Sequence, residues 1–540
     1  MSKKKVRCPA FRVHHSPWAT AGRRKMSMGM LCLIGAVCSF GGQVSMGGAS
    51  RSPLREPQDR PNVIYILADD LGYGEVGYNG QKKIKTPELD AMAKAGMKFP
   101  AHYTGNAVCA PSRCSLMTGK HPGNAYIRAN SKLYPNGQTP IPEDSETVAK
   151  LMQRAGYETA LIGKWGLGGV LENVDNPVLN SGHPHKQGFD YFFGYADQRR
   201  AHKYYPDFLW RNTERVMLNN KANGADSDND YSHDLMTEEA VTWITENKDK
   251  PMFLYLAYCI PHTEWRVPDL GEYADKDWPE EHFKIQAAMV SRMDRDIGRV
   301  KRLLEELGIA DNTLIMFNSD NGTHALKGTR EFFEATGGLK KSKRYVYEGG
   351  IRSPMFAYWP GKVPAGTTSD HISAFWDFLP TMAEFTGEPV NGPTDGISML
   401  PTLLGLPEKQ KQHKYLYWEN YAGRPSAAVR MGNWKGVVPD FRYPEKIELY
   451  NLEGDELENQ NVAKQHPEVM SQIKEIMAEA HTPSPLFDIK FDGFYNVEEA
   501  CRINGVKVIN PEEQKLKKQA EKKKRQLEAK KKKQSANKKK

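Results

Sequence analysis

The sequence predicts an α/β fold in which helices flank both faces of a doubly wound, mainly parallel sheet, followed by a smaller C-terminal antiparallel α+β subdomain. Two observations lead to this prediction. From residue 61 to about 405, short apolar runs alternate with segments whose apolar residues recur at helical spacing, a pattern typical of βαβ units. After residue 406, short strand-like segments follow one another across turns, as in an antiparallel sheet.

The strands predicted in the first region are nearly continuous apolar runs, as expected for strands covered on both faces. They span residues 62–68, 158–162, 251–258 and 313–317. The helices predicted between them have helical apolar spacing, and each ends at or just before a glycine. They span residues 87–96, 145–155 and 287–307, with Ser145 as the expected N-cap of the second.

The second region, 406–510, is predicted to be the smaller subdomain. Its short strands are expected at 415–418, 426–431, 434–438 and 448–450, and an amphipathic helix is expected at 467–480. Residues 61–405 are then the catalytic domain. Residues 511–540 are rich in lysine and nearly lack large apolar side chains, so we expect a solvated, disordered tail.

Charge is distributed unevenly along this chain of 540 residues, whose net charge is +9. Residues 1–60 carry a net charge of +9 and residues 515–540 carry +12, which leaves about −12 on residues 61–514. A nucleic-acid-binding fold concentrates positive charge on its folded domain. The acidic body with basic ends therefore argues against a nucleic-acid partner.

The N-terminal 50 residues have the layout of a secretory signal. The basic residues Arg23, Arg24 and Lys25 precede an apolar run at 30–40, and small residues follow to Ser50. The apolar run is too short to span a bilayer. The sequence therefore predicts an exported protein, periplasmic or secreted, without a stable membrane span.

Two acidic pairs directly follow predicted buried strands. Asp69-Asp70 follows the first strand, and Asp320-Asn321 follows the strand that begins at Thr313. Ligands of open α/β sheets bind beyond the carboxyl ends of the strands, so the two pairs would converge there. Oxygen ligands without histidine or cysteine favour a hard cation such as Ca²⁺ or Mg²⁺. The alternative is that each pair only caps a turn.

The stretch from Cys109 to Lys120, Cys-Ala-Pro-Ser-Arg-Cys-Ser-Leu-Met-Thr-Gly-Lys, is the most distinctive motif in the sequence. From the residues alone it is a Pro/Ser turn with a cysteine whose pKa Arg113 and Lys120 would lower. The motif Cys-x-Pro-Ser-Arg followed by Leu-x-Thr-Gly-Lys resembles the maturation signature of type I sulfatases. The resemblance implies that a formylglycine-generating enzyme oxidises Cys109 to formylglycine (3-oxoalanine), an aldehyde whose hydrate is the nucleophile.

Further matches to this family lie in the same order along residues 61–480, and they imply an alkaline phosphatase-like fold and a role for each matching residue. One Ca²⁺ would be bound by Asp69, Asp70, residue 109, Asp320 and Asn321. Arg113 and Lys120 would hold the hydrate, and Asp320 would accept its proton. Lys164 in Gly163-Lys-Trp165 and Lys343 would bind sulfate, and His262 after Pro261 would protonate the leaving oxygen.

The sequence departs from the family pattern at Gly166. The family commonly has Gly-Lys-Trp-His-Leu-Gly, whose histidine bonds the hydrated aldehyde, and here the segment is Gly-Lys-Trp-Gly-Leu-Gly. Either this contact is absent or another group supplies it. Our candidate is His202, for which the alternative is a surface loop residue. His183 and His185 are weaker candidates.

The resemblance therefore implies a sulfatase that hydrolyses a sulfate monoester of a carbohydrate or aryl alcohol, with a sulfated small molecule or glycan as its partner. Two alternatives stay open, a phosphoester hydrolase of the same superfamily and a non-catalytic protein that binds sulfated glycans. The polar, aromatic segments 170–235 and 264–284 are expected to form the rim of the pocket.

Overall fold

A computed structural model of the chain describes residues 60–130, 139–169, 181–220, 230–491 and 494–503. The predicted signal at 1–50 and the predicted tail at 511–540 lie outside these residues. The division at 405/406 between catalytic domain and subdomain stays a prediction.

The strands form one large sheet and two small ones. In chain order they are β1 (Asn62–Ala68), β2 (Met97–Lys98), β3 (His102–Tyr103), β4 (Glu158–Lys164), β5 (Tyr191–Tyr195), β6 (Phe208–Arg211), β7 (Glu214–Met217), β8 (Met252–Ala257), β9 (Thr313–Ser319), β10 (Phe356–Tyr358), β11 (Thr367–Thr368), β12 (Ser373–Ala374), β13 (Leu416–Asn420), β14 (Ser426–Met431), β15 (Trp434–Val438) and β16 (Glu448–Asn451). The large sheet has the order β11-β2-β10-β9-β1-β8-β4-β5-β6-β7. Within it only β10 and β6 run against the other described strands.

Helices cover both faces of the large sheet. The helices of the described residues are α1 (Pro87–Ala95), α2 (Cys109–Thr118), α3 (Val148–Arg154), α4 (Ser232–Asn247), α5 (Glu281–Glu306), α6 (Thr329–Phe332), α7 (Glu348–Ile351), α8 (Phe378–Thr386), α9 (Leu400–Leu403), α10 (Pro467–Ala480) and α11 (Val497–Ile503). Ile64 and Ile66 of β1 pack with α1, α4 and α5. Val63 and Tyr65, on the opposite face, pack with α2, α3 and α8. The predicted doubly wound, mainly parallel α/β class is confirmed.

The register of the central strands brings their carboxyl ends together. Ala68 at the end of β1 pairs with Ser319 at the end of β9. Leu67 pairs with Ala257 at the end of β8, and Ala257 pairs in turn with Gly163 of β4. The chain segments that leave these four parallel strands therefore begin at one edge of the sheet, where α/β folds bind ligands.

The smaller C-terminal sheet is antiparallel, in the order β13-β14-β15-β16, as predicted. One of its faces packs against α10 through residues such as Val429 and Ile473. Its other face, which includes Trp418, packs against Tyr103 and Trp376 of the larger part of the chain. None of the helices in the described ranges has the length and apolar character needed to cross a membrane.

Several boundaries differ from the prediction for identifiable reasons. The predicted N-cap Ser145 is wrong, because α3 begins at Val148 and the side chain of Thr147 accepts the backbone N–H of Lys150 at 3.2 Å. Helix α5 begins six residues before the predicted start, since its first turns are largely polar. Segment 170–235 is not only pocket rim, because its described part contributes β5, β6 and β7 to the large sheet.

Burial of His102 makes the stability of the fold depend on pH. His102 in β3 is buried, and its Nδ1 lies 2.9 Å from the hydroxyl of Ser373 in β12. Burial lowers the pKa of His102 to about 3. The unfolded chain then binds the proton more tightly, so stability is lost as pH falls from about 6.5 towards 3, by about 1.4 kcal/mol per unit.

We therefore expect His102→Gln to flatten the acid dependence of unfolding, which urea titrations at pH 8, 6 and 5 would measure. The free energy of unfolding of the variant, relative to that of the wild type, should rise as the pH falls. A difference that stays constant across this range would contradict the account.

Candidate active site

The loops that follow the central parallel strands carry most of the predicted site residues. Asp69 and Asp70 follow β1, Asp320 and Asn321 follow β9, and Lys164 is the last residue of β4. All of these side chains are buried. Because buried charges are costly unless they are paired, the contacts among these groups determine what the site can do.

Helix α2 presents Cys109 and Arg113 to this edge. The Cys109 motif forms a buried helix rather than a turn, and Pro111 is tolerated because it lies in the first helical turn. Arg113, four residues after Cys109, shares its face of the helix. Its Nε and Nη2 donate to Asp320 Oδ2 at 3.1 and 2.8 Å, and its Nη1 donates to the carbonyl oxygen of Lys164 at 2.7 Å.

Two buried lysines complete the charge pairing. Lys164 Nζ donates to Asp69 Oδ2 at 2.6 Å. Lys343, from the loop before α7, donates to Asp70 Oδ1 and lies 3.4 Å from Cys109 Sγ. The two lysines therefore come from different parts of the chain, Lys164 from the end of β4 and Lys343 from the loop before α7.

Three oxygen atoms of this cluster have no hydrogen-bond partner within the described part of the chain. They are Asp69 Oδ1, Asp70 Oδ2 and Asn321 Oδ1, and all are buried. Asp69, Asp70, Cys109 and His262 each offer a ligand atom, and these four atoms lie within 4.8 Å of one another. Asp320 differs, because its Oδ1 accepts the backbone N–H of Asp70 at 3.1 Å and its Oδ2 accepts Arg113.

The buried carboxylates of this cluster differ in their pKa values. Burial, together with the nearby Asp69, raises the pKa of Asp320 to about 7. Burial alone would also raise the pKa of Asp70, but His262 and Lys343 lower it to about 2. Buried carboxylates this close together oppose one another's ionisation, and a bound cation would relieve this repulsion.

The expectation of a lowered pKa for the Cys109 thiol is wrong. Cys109 is fully buried, and burial raises its pKa to about 12 although Lys164 and Lys343 oppose this. The sequence suggested nearby positive charge but could not show the burial. Lys120 lies two residues beyond Thr118, where α2 ends, and the described residues include no hydrogen bond or ion pair between Lys120 and the cluster.

Two histidines lie beside Asp70, and a third stacks on one of them. His262 Nε2 is 3.4 Å from Asp70 Oδ2, and its Nδ1 contacts the carbonyl oxygen of Thr263. The ring of His202 stacks on the ring of His262 with a centroid distance of 3.9 Å. His324 Nδ1 is 3.9 Å from Asp70 Oδ2. The sequence analysis did not identify His324, although its position four residues after Asp320 was a usable signal.

The space beside Gly166 is filled from the segment that follows β5. Gly166 has φ +75°, and a Cβ there would stand 2.5 Å from Gln198 Oε1 and 3.7 Å from Arg113 Cδ. Gln198, which the sequence analysis did not single out, is therefore the side chain nearest to this position. His183 and His185 contact backbone carbonyls of Asn212 and Phe189, respectively.

Comparisons with known proteins show which family the chain is similar to. Residues 61–388 match the Sulfatase family, and residues 340–482 match the family of N-sulphoglucosamine sulphohydrolase C-terminal regions. The chain is 31% identical to N-acetylgalactosamine-6-sulfatase of Mus musculus over 69% of this chain and 71% of that protein. It is 30% identical to arylsulfatase G of Rattus norvegicus over 80% of this chain and 87% of that protein.

A solved structure is similar over most of the fold. The crystal structure of Ps i-CgsB in complex with k-i-k-neocarrahexaose aligns with a TM-score of 0.67 and 29% identity, over 83% of this chain and 98% of that chain. Fold and matches together define a sulfuric ester hydrolase. The chain belongs to the sulfatase family, and the resemblance predicted from the Cys109 motif is confirmed.

Proposed function

We propose that this sulfatase hydrolyses a sulfate monoester with a formylglycine made from Cys109 and one bound Ca²⁺. The observation that carries the proposal is the buried arrangement of Cys109 between Lys343 and Asp70, beside oxygen atoms that have no partner among the described residues. A cation and an anionic substrate would together satisfy these groups.

The donor set fits a calcium ion. Asp69 Oδ1, Asp70 Oδ2 and Asn321 Oδ1 are hard oxygen ligands of the kind that Ca²⁺ prefers. Asp320 would join them once a cation competes with Arg113 for its carboxylate. When bound, the ion would supply positive charge that draws a sulfate oxygen towards residue 109.

Residue 109 also fits the modification. A thiol is a weak hydrogen-bonding group, yet Cys109 Sγ faces the ammonium of Lys343 at 3.4 Å and Asp70 Oδ1 at 3.9 Å. The hydrate of formylglycine would supply a nucleophilic hydroxyl and a second hydroxyl from which the aldehyde can re-form. Because Cys109 is buried, a formylglycine-generating enzyme would have to act on it before the chain folds.

The remaining side chains would bind the substrate and move protons. Lys164 and Lys343 would bind sulfate oxygens, and Arg113 would hold residue 109 and Asp320, which accepts the nucleophile's proton. His262 would protonate the leaving oxygen through Nε2, because its Nδ1 is engaged by the carbonyl of Thr263. Burial lowers the pKa of His262 to about 4, and a bound anion would favour the protonated ring.

The proposed substrate class is a sulfated glycan. The matched relatives include an enzyme named N-acetylgalactosamine-6-sulfatase, and the Ps i-CgsB structure is a complex with k-i-k-neocarrahexaose. The apolar and basic layout of residues 1–50 supports export to the periplasm or beyond. An extracellular location would suit a polymeric substrate.

The role of His262 predicts a dependence on the leaving group. A sugar alkoxide needs a proton as it departs, whereas 4-nitrophenolate does not. His262→Gln should therefore lower kcat/KM for a sugar sulfate by about 10²–10⁴-fold and for 4-nitrophenyl sulfate by much less, measured as sulfate release by ion chromatography.

The control for this assay is His466→Gln, since His466 is a half-buried residue at the start of α10 in the C-terminal part of the chain, and its replacement should leave both rates unchanged. An equal loss on both esters would exclude His262 as the acid. Faster release of phosphate from the matching phosphate esters would favour the phosphoester hydrolase instead.

The oxygens without hydrogen-bond partners predict that the protein binds calcium. A second acidic cluster in the same molecule provides the control. Protein freed of metal by chelator should bind one Ca²⁺ per chain when calcium is added back, and it should gain about 2.7 kcal/mol of stability at a calcium concentration a hundred times the dissociation constant. Asp70→Asn should weaken this binding. Asp234→Asn should not, because the cluster of His233, Asp234 and Asp296 already pairs its carboxylates with Arg292 and Arg295.

Metal analysis after gel filtration and thermal unfolding with added Ca²⁺ would give the stoichiometry and the stabilisation. Wild-type protein that binds no calcium, or an Asp70→Asn variant that binds it as tightly as wild type, would contradict the assignment.

A further inference from the structure

The segment that follows β5 is positioned over the active site by strand register. β4 and β5 are parallel neighbours, and Lys164 pairs with Tyr195 at their carboxyl ends. The backbone N–H of Trp165 donates to the carbonyl oxygen of Tyr195 at 2.9 Å. The residues just beyond Lys164 and just beyond Tyr195 therefore leave the sheet side by side.

Gln198 is held within a fixed turn. Asp197 Oδ1 accepts the backbone N–H groups of Arg199 and Arg200 at 2.6 and 3.0 Å. A short 3₁₀ helix, Arg200–His202, follows and brings His202 onto the ring of His262. The backbone on both sides of Gln198 is thus fixed by contacts that do not involve its own side chain.

The carboxamide of Gln198 is buried without a partner. Gln198 is only 9% exposed, and neither its Oε1 nor its Nε2 bonds to any group in the part of the chain that the structure describes. His202 Nε2, four residues further along the same segment, also has no hydrogen-bond partner there. Buried polar groups are nearly always hydrogen-bonded, so these atoms are expected to take a partner beyond the described residues.

The surroundings of this carboxamide indicate what the partner is. Gln198 Oε1 lies over Gly166, whose missing side chain leaves room for it, and Arg113 flanks the same point. Gly166 comes two residues after Lys164, and the charges of Lys164 and Lys343 act on the neighbouring His202. An amide N–H in these basic surroundings suits an anion whose oxygens only accept hydrogen bonds.

We propose that Gln198 is a substrate-binding residue whose Nε2 donates a hydrogen bond to an oxygen of the bound sulfate group. The inference rests on the proposed sulfatase chemistry and assigns to it a residue outside the sequence motifs. The left-handed Gly166 is part of this arrangement, because any side chain at that position would displace the carboxamide of Gln198.

The test measures binding of inorganic sulfate by isothermal titration calorimetry in a Cys109→Ala background, together with kcat/KM for 4-nitrophenyl sulfate in the matured enzyme. Gln198→Leu keeps the shape and removes the donor. We expect about tenfold weaker sulfate binding and a fall of at least about tenfold in kcat/KM. The melting temperature should not fall, because the amide has no bond within the described protein to lose.

Gln187→Leu is the matched control. Gln187 is also buried, but its Nε2 donates to the carbonyl oxygens of Pro142 and Ser181 at 3.0 and 2.8 Å. Its replacement should lower the melting temperature and leave sulfate affinity unchanged. The opposite behaviour of two buried glutamines separates a ligand contact from a structural role.

A second pair of variants tests the same contact by changing a glycine instead of Gln198. Gly166→Ala should weaken sulfate binding, because its Cβ would collide with Gln198 Oε1. Gly308→Ala adds a Cβ at nearly the same φ, +70°, but into open space at the end of α5. It should share the strain of a left-handed alanine and keep the wild-type affinity for sulfate.

Unchanged sulfate affinity in Gln198→Leu would overturn the inference. If turnover alone fell while affinity held, the amide would contact residue 109 rather than sulfate, which also overturns the assignment. Wild-type protein that neither binds sulfate nor hydrolyses sulfate esters would instead remove the proposed function and this inference with it.

Discussion

The structure depends on the pairing of buried charges at the carboxyl ends of its central strands. Three carboxylates and three cationic side chains meet there with almost no exposure to water. They are Asp69, Asp70, Asp320, Arg113, Lys164 and Lys343. Removing one member of such a set leaves an uncompensated buried charge, which costs about 3–5 kcal/mol. The same side chains therefore serve the fold and the chemistry, and a loss of activity in their variants has to be corrected for the fraction of folded protein.

The balance of this cluster also explains how the site can accept both a cation and an anion. The carboxylates and cations cancel in number, yet three buried oxygens lack partners in the described chain. A divalent cation on these oxygens would leave the site positive, and the single negative charge of a sulfate monoester would partly offset this charge. Binding of the two is therefore expected to be cooperative, with no movement of the backbone required.

Much of the fold and of the site followed from the sequence, for physical reasons. Continuous apolar runs predicted strands such as β1 because a strand covered on both faces tolerates little else. The Cys109 motif and the acidic pairs were recognisable because catalysis constrains residue types at fixed spacing. β5 to β7 were missed, since their short aromatic strands lie in a polar segment and depend on pairing with β4 for their structure.

Other features depend on tertiary contacts that local sequence does not encode. The pKa of the Cys109 thiol is raised because the fold buries it, whereas the neighbouring basic residues alone suggested the opposite. Gln198 belongs to no motif, and it reaches the site only because Tyr195 ends in register with Lys164. Lys120 was placed behind Arg113 by the motif, but it lies past the end of α2, and no hydrogen bond or ion pair among the described residues joins it to the cluster.

The most direct test of the account is the mass of the tryptic or chymotryptic peptide that contains residue 109, from protein produced together with a formylglycine-generating enzyme. Exchange of the thiol for an aldehyde oxygen lowers the mass by about 18 Da. The account predicts this loss at Cys109, and not at Cys114, in the active fraction. Active protein that retains an unmodified Cys109, while a control sulfatase is converted in the same cells, would contradict it.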